Sequence, residues 1–182
     1  MAKLVSKTYG DALFELALEE NKLDMLFEES KAIREVFLSN NELLKLLNHP
    51  KIDKEDKISV LENIFKERAS KDFVGFLTLI VRKERQNNIL QILEYFISLV
   101  KEYKRIGVAY VTTATDMTDS QKKEVEDKLL ATTKYEQFEM NFAVDNSIIG
   151  GMIIRIGDKV VDNSISSKLN ELSKSLYKLQ LV

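Results

Sequence analysis

Near Lys104 the chain changes its period, and that change limits the folds open to it. Before it, apolar residues recur at helical spacing; beyond it, β-branched runs and alternating segments appear. Glycine follows the same divide. Residues 1–104 contain only Gly10 and Gly75, whereas the rest contains Gly107, Gly150, Gly151 and Gly157. A helical first part joined to a strand-bearing second part follows, with the hinge expected at 101–105, just before Gly107.

The first part reads as six helices with short links, an N-terminal six-helix bundle over 1–104. Leu4-Val5, Tyr9, Ala12-Leu13 and Leu16-Ala17 give the first helix its stripe. Leu23, Leu26-Phe27, Ile33 and Val36-Phe37 give the second, and Asn40 or Asn41 caps a short third before Pro50. Asp53 is placed to cap a fourth helix, with Ile58, Leu61, Ile64 and Phe65 inward. Ser70 caps a fifth along Phe73, Val74, Leu77, Ile80 and Val81. Asn87 or Asn88 opens a sixth through Ile92, Phe96 and Val100.

The second part, 105–182, reads as a small α/β domain with a mixed sheet, so the fold class is α+β overall. Residues 106–114 form a β-branched strand, and Thr118 and Gln121 have capping-box spacing before a charged helix. Phe138, Met140, Phe142 and Val144 then point to one side of a strand, against Glu139, Asn141 and Ala143 on the other. Strand, helix, strand at this separation suggests a parallel crossover. After the turn residues Asp145-Asn146-Ser147, 148–156 is expected at hairpin distance from the Phe138 strand. Gly157-Asp158 then turns the chain into 159–161, making a three-segment antiparallel arrangement. Ser164 sits where an N-cap belongs, and Ile165, Leu169, Leu172, Leu176 and Leu179 fall on one face of the last helix. That stripe reads as sheet-facing core. Its near-heptad spacing also permits packing against a partner helix.

Several function classes are poorly served by these residues. There is no cysteine, which excludes disulfides, thiolate metal sites and cysteine nucleophiles. Net charge is −2, with 17 basic and 18 acidic groups in the first part and 10 and 11 in the second, so neither part is a basic arm for nucleic acid. The start, MAKLVSKTYGDALF, reads as neither a signal nor a transit peptide. No apolar run approaches the roughly 20 residues of a membrane span, so membrane association is expected only through another protein.

His49, the only histidine, precedes Pro50 in a loop, with no second histidine to share a metal. Gly150-Gly151 lacks the phosphate-loop and dinucleotide patterns and reads as a bulge or a close backbone approach within a strand. Asp11, Glu15, Glu19, Glu20, Asp24, Glu28 and Glu29 crowd the first helix and its exit against Lys22 alone. They read as a solvated face, with docking of a basic helix as the sharper alternative. Arg82-Lys83-Glu84-Arg85 ends the fifth helix, where cations favour the dipole. No catalytic, cofactor or metal constellation emerges.

Two sets of residues carry a family resemblance. Ile149-Gly150-Gly151-Met152, Arg155-Ile156-Gly157-Asp158 and Asp162-Asn163-Ser164-Ile165, ending in Lys168-Leu169, resemble the C-terminal signature of the F-type ATP synthase delta subunit, the family of the mitochondrial oligomycin-sensitivity-conferring protein. Tyr9-Gly10-Asp11-Ala12-Leu13-Phe14 resembles that family's N-terminal Tyr-Ala-x-Ala-Leu-Phe pattern, with Gly10 where alanine is usual. The resemblance implies a non-catalytic peripheral-stalk (stator) subunit of the proton-translocating ATP synthase, on the cytoplasmic face of a bacterial membrane. It implies that the helical domain receives the N-terminal helices of alpha subunits in a groove including helices one and five. The matching positions are Tyr9, Ala12 and Leu13; Gly75 on helix five is added because a mid-helix glycine permits close helix approach. The α/β domain is expected to meet the C-terminal part of the b subunits, with Gly150, Gly151, Gly157, Asp162 and Ser164 as its structural signature. The competing expectation is a free-standing helical adaptor that binds peptides and is unrelated to ATP synthase.

Overall fold

The computed structural model describes residues 2–179 and divides into two compact units, Met1–Lys101 and Glu102–Val182. With eight α-helices and a four-stranded mixed sheet among the described residues, the fold is α+β.

The first unit contains α1 (Ala2–Glu19), α2 (Leu23–Ser39), α3 (Asn41–Leu47), α4 (Lys54–Phe65) and α5 (Lys71–Arg82). A 3-10 turn (Gln86–Asn88) then leads into α6 (Ile89–Tyr103), which runs just past the unit boundary. Local chemistry sets the helix ends. The Ser70 hydroxyl accepts from Phe73 N at the start of α5, and the Glu29 carboxylate of α2 accepts from Ser70 N and Oγ, each at 2.8 Å. One member of the acidic group is thereby a cap brace. α1 and α5 end on residues in the left-handed region, Asn21 (φ 54°) and Glu84 (φ 57°). Lys22 N donates to Ala17 O and Arg85 N to Ile80 O, each at 2.9 Å, as Schellman ends require. Glu84 takes this conformation without a glycine's freedom, and its carboxylate meets Lys54 Nζ at 2.6 Å, which holds it below the usual carboxylate pKa.

Two expected caps act differently. Asn40 precedes α3, yet its Nδ2 donates back to Val36 O (3.0 Å), so its side chain closes α2 and makes no cap bond to α3. Asp53 is at the N-cap of α4 without a side-chain cap bond.

The core of this unit joins Leu13, Leu26, Phe37, Leu47, Leu61, Phe65, Phe73, Leu77, Ile92 and Phe96, with the Phe37 and Phe65 rings 5.7 Å apart. Each such side chain contributes about 1.5–3 kcal/mol on burial. The inward face of α1 is Ser6, Gly10, Leu13 and Ala17. This corrects the expected stripe: Leu4, at 70% exposure, and Ala12 point outward. The reason is steric. Tyr95 of α6 lies against Gly10, where a Cβ would come within 2.4 Å of its ring, while its hydroxyl donates to Asp11 Oδ1 at 3.0 Å. A hydrophobicity pattern favours Ala12 over Gly10 for the inside, but the ring leaves room only for glycine. Gly10→Ala is therefore expected to lower stability by about 1–2 kcal/mol, overpacking outweighing the helix-propensity gain. Denaturant unfolding of Gly10→Ala, Tyr95→Ala and the double variant checks this: the loss on adding the methyl should disappear once the ring is gone.

In the second unit the strands are β1 (Ile106–Thr113), β2 (Gln137–Val144), β3 (Met152–Ile156) and β4 (Lys159–Asp162), in the order β2-β1-β3-β4. β1 and β2 are parallel, with Gly107 opposite Phe138 and Val111 opposite Phe142; β1–β3 and β3–β4 are antiparallel. The crossover between β1 and β2 contains α7 (Asp119–Thr132), started by a full Thr118–Gln121 capping box. Lys122 Nζ of α7 lies 5.6 Å from the Phe142 ring centroid, so α7 covers the sheet face that carries Phe138 and Phe142. On the opposite face Tyr110 is exposed, with the Arg155 guanidinium 4.9 Å from its ring centroid. The last helix is α8 (Ile165–Leu179).

The expected three-segment antiparallel arrangement is corrected at one joint. β2 does not pair with β3, because β1 lies between them. The connection passes the end of β1, where Asp145 N donates to Thr113 O at 2.8 Å. It then tightens into a 3-10 turn (Asn146–Ile148) that buries Ile148. Residues 148–151 are thus a strap over the strand end, and β3 begins only at Met152.

Candidate functional site

The diglycine lies where the strap meets the start of α8. A Cβ on Gly150 would come within 2.7 Å of Ile165 Cδ1. Gly151 has φ +79°, and a Cβ there would be 2.3 Å from the Asn163 carbonyl oxygen. Asn163 N donates to Met152 O (3.0 Å) and Ile165 N to Gly150 O (2.9 Å). The glycines therefore mark a close backbone approach, ahead of the strand and not as a bulge inside it. Gly157 supplies the positive φ (56°) of the two-residue β3–β4 turn, in open space.

Asp162 and Ser164 hold the first turn of α8. Asp162 accepts from Ser164 N (2.8 Å) and Ser167 Oγ (2.6 Å), and the Ser164 hydroxyl accepts from Ser167 N (3.2 Å). The Ser167 hydroxyl, followed by Ser164, lowers the Asp162 pKa below its ordinary 3.8. A carboxyl with a depressed folded-state pKa stabilises fully above the unfolded value and loses this as pH falls through the folded one. The Ser164 amide resonance is accordingly expected to titrate with its midpoint below 3.8. In Asp162→Asn that step should vanish.

The residues expected to meet a partner helix occupy different depths. Tyr9 is half-buried and Ala12 exposed, whereas Leu13, at 1% exposure, belongs to the core and can only support the surface from beneath. Gly75 is exposed on α5, with nothing within 4 Å of its absent Cβ; Leu79, one turn later, is also exposed. No hydrogen bond or ion pair among the described residues joins Gly75 to Tyr9, Ala12 or Leu13. Leu79 falls off the inward stripe of α5, but an outward-facing leucine by itself does not mark a contact residue.

The acidic group disperses into structural tasks. Asp11 takes the Tyr95 hydroxyl, Glu29 braces Ser70, and Glu28 pairs with Lys31 at 3.0 Å. Lys22 bridges Glu20 (2.6 Å) and Asp72 (2.7 Å), and these carboxylates, Asp72 first, raise its pKa above the ordinary lysine value. Among the described residues no three carboxylate or histidine groups assemble to hold a metal. His49 is exposed in its loop and its Nδ1 accepts from Lys51 N at 3.2 Å.

The last apolar stripe gives the largest departure from expectation. Leu169, Leu172 and Leu176 are 52%, 61% and 62% exposed, so they are not sheet-facing core. The side chain of Leu179 lies outside the described residues.

Comparison with known proteins places this architecture. Residues 5–176 match the model of the family "ATP synthase delta (OSCP) subunit". The chain belongs to the ATP synthase delta (OSCP) subunit family. It is 60% identical over 181 residues to the ATP synthase subunit delta of Lachnoclostridium phytofermentans, covering 100% of both chains. It is 36% identical over 172 residues to that of Desulforamulus reducens, covering 94% of each. A chain in the Toxoplasma gondii mitochondrial ATP synthase hexamer shares the fold, with a TM-score of 0.76 at 18% identity over 94% of this chain and 97% of that one. Delta-family membership makes the protein a structural, non-catalytic subunit of ATP synthase and removes the unrelated adaptor from consideration. Among the described residues no helix is long and apolar enough to cross a membrane.

Proposed function

We propose that this delta-family subunit ties the catalytic head of a bacterial ATP synthase to its membrane-anchored stalk, at the cytoplasmic face of the membrane. The observation that carries this is the family match, which spans both units from residue 5 to residue 176. The six helices of 1–104 act as one bundle and receive the N-terminal helices of alpha subunits. The domain 105–182 meets the C-terminal part of the b subunits. Rotor torque then drives synthesis and does not spin the head.

The α1 and α5 surfaces support the head-facing assignment. Ala12 and Leu4 project outward from α1, and Gly75 faces open space on α5 beside the exposed Leu79. In helix-in-groove docking apolar anchors supply affinity and surrounding charge sets register. Asp11, Glu15 and Glu19 supply that charge along α1. Resisting torque requires slow dissociation, hence a dry, well-packed contact. The test is co-purification. Tagged subunit expressed from its native locus should bring down alpha and b subunits together, and recovery of neither overturns the assignment.

A further inference from the structure

We propose that the helical unit carries a binding site for inorganic hydrogen phosphate, built at the start of α4. A cavity of about 440 Å³ is lined by Asp53, Lys54 and Lys57 of α4 and its cap, and by Val81, Glu84 and Gln86 from the end of α5 and the turn after it. Three groups on its wall are left unpaired by the fold. Lys57 is only 6% exposed, yet its ammonium has neither a hydrogen bond nor an ion pair among the described residues. Glu84 feels the Lys57 charge, but its carboxylate is bonded to Lys54 at 2.6 Å. Gln86 Oε1 is a buried acceptor with no donor among the described residues. Asp53 makes no side-chain cap bond, so the first-turn amides of α4 lack the acceptor that Ser70 gives α5 and Thr118 gives α7. A buried cation without a counter-charge and a buried acceptor without a donor each cost stability, and here they line one cavity.

The ligand follows from what these groups lack. Lys57 and the α4 amides call for an anionic oxygen, which the dipole at a helix start also favours. Gln86 Oε1 calls for an O–H or N–H. A water molecule supplies the donor but no charge to offset Lys57. A carboxylate or a sulfate supplies the charge but no donor. Inorganic phosphate near neutral pH carries both on one compact ion, charged oxygens and a remaining O–H. The acidic residues of the wall do not oppose it: Asp53 is exposed, where water and salt screen it, and Glu84 is paired with Lys54. Phosphate is a reactant of ATP synthesis. With the site filled, the stability of this helical unit rises with the concentration of that reactant.

The experiment titrates the full chain, in phosphate-free buffer at constant ionic strength, with sodium phosphate and separately with sodium sulfate. Binding is followed by calorimetry, by the rise in unfolding temperature and by amide resonances. Phosphate should move the backbone amides of Lys54, Glu55 and Asp56 and the side-chain amide of Gln86. It should bind about 10–100-fold tighter than sulfate, because sulfate leaves the buried acceptor unpaired. Lys57→Met keeps the length of the buried stem and should lose phosphate affinity about 10–100-fold. In phosphate-free buffer its unfolding temperature should be unchanged or higher, since it removes an unpaired buried charge. Gln86→Leu should narrow the preference for phosphate over sulfate and leave sulfate affinity as it was. Absence of phosphate binding by the unaltered chain overturns the proposal. So does a folded Lys57→Met that binds phosphate as before, or phosphate-induced shifts confined to other parts of the chain. An effect that needs roughly 0.1 M phosphate and that sulfate reproduces is ionic screening alone and overturns it as well.

Discussion

Ala12→Asp is expected to release this subunit from the catalytic head without unfolding it. The position is exposed on α1, so a carboxylate there meets water in the free subunit and costs little. In a dry groove under a partner helix the same carboxylate is desolvated without a partner, a penalty of about 3–5 kcal/mol. That corresponds to roughly a 10²–10⁴-fold loss of affinity. Proton flow should then uncouple from synthesis, while hydrolysis by the detached head persists. Leu13→Asp would not serve, because Leu13 is core and its loss would unfold the unit. The measurement is head binding by sedimentation alongside proton-driven ATP synthesis. A folded Ala12→Asp that binds the head as before removes α1 as the docking face.

Gly151→Ala carries the largest expected stability cost in the second unit. Its φ of +79° penalises any side chain by about 1–2 kcal/mol. The new Cβ would also lie 2.3 Å from the backbone oxygen of Asn163, so the start of α8 must move, adding about 1–3 kcal/mol. Gly157→Ala separates the two effects, since Gly157 has positive φ (56°) but nothing within 4 Å of a Cβ. It should show the conformational part alone. Hydrogen exchange of β3 amides reports on this unit directly, which matters because the two units need not unfold together. Equal losses in both variants would mean that the Asn163 contact contributes nothing.

These effects also show where sequence ceases to determine structure. The caps at Ser70, at Thr118 with Gln121 and at Ser164 were legible because each is a bond between residues three apart. The β3–β4 hairpin was legible for the same reason, through Gly157-Asp158. The insertion of β1 between β2 and β3 was not, since alternation marks a strand but names no neighbour. The inward turn of Gly10 depends on Tyr95, 85 residues away, and no local pattern contains that ring. Spacing gave α8 an apolar face without saying what covers it, and the exposed Leu172 and Leu176 answer that nothing in the described chain does. At the candidate site, the motif identified Tyr9, Ala12 and Leu13 together, and only burial separates the outward Ala12 from the core Leu13.

The central claim, that this subunit transmits torque resistance between head and stalk, is tested most directly by removal and return. Membranes of the source organism are stripped of the subunit, and ATP synthesis driven by an imposed proton gradient is measured before and after purified chain is added back. Synthesis should fall on stripping and recover in proportion to the chain added, with hydrolysis by the head continuing throughout. Synthesis that persists in the stripped membranes, or that does not return although the added chain is bound, would contradict the account.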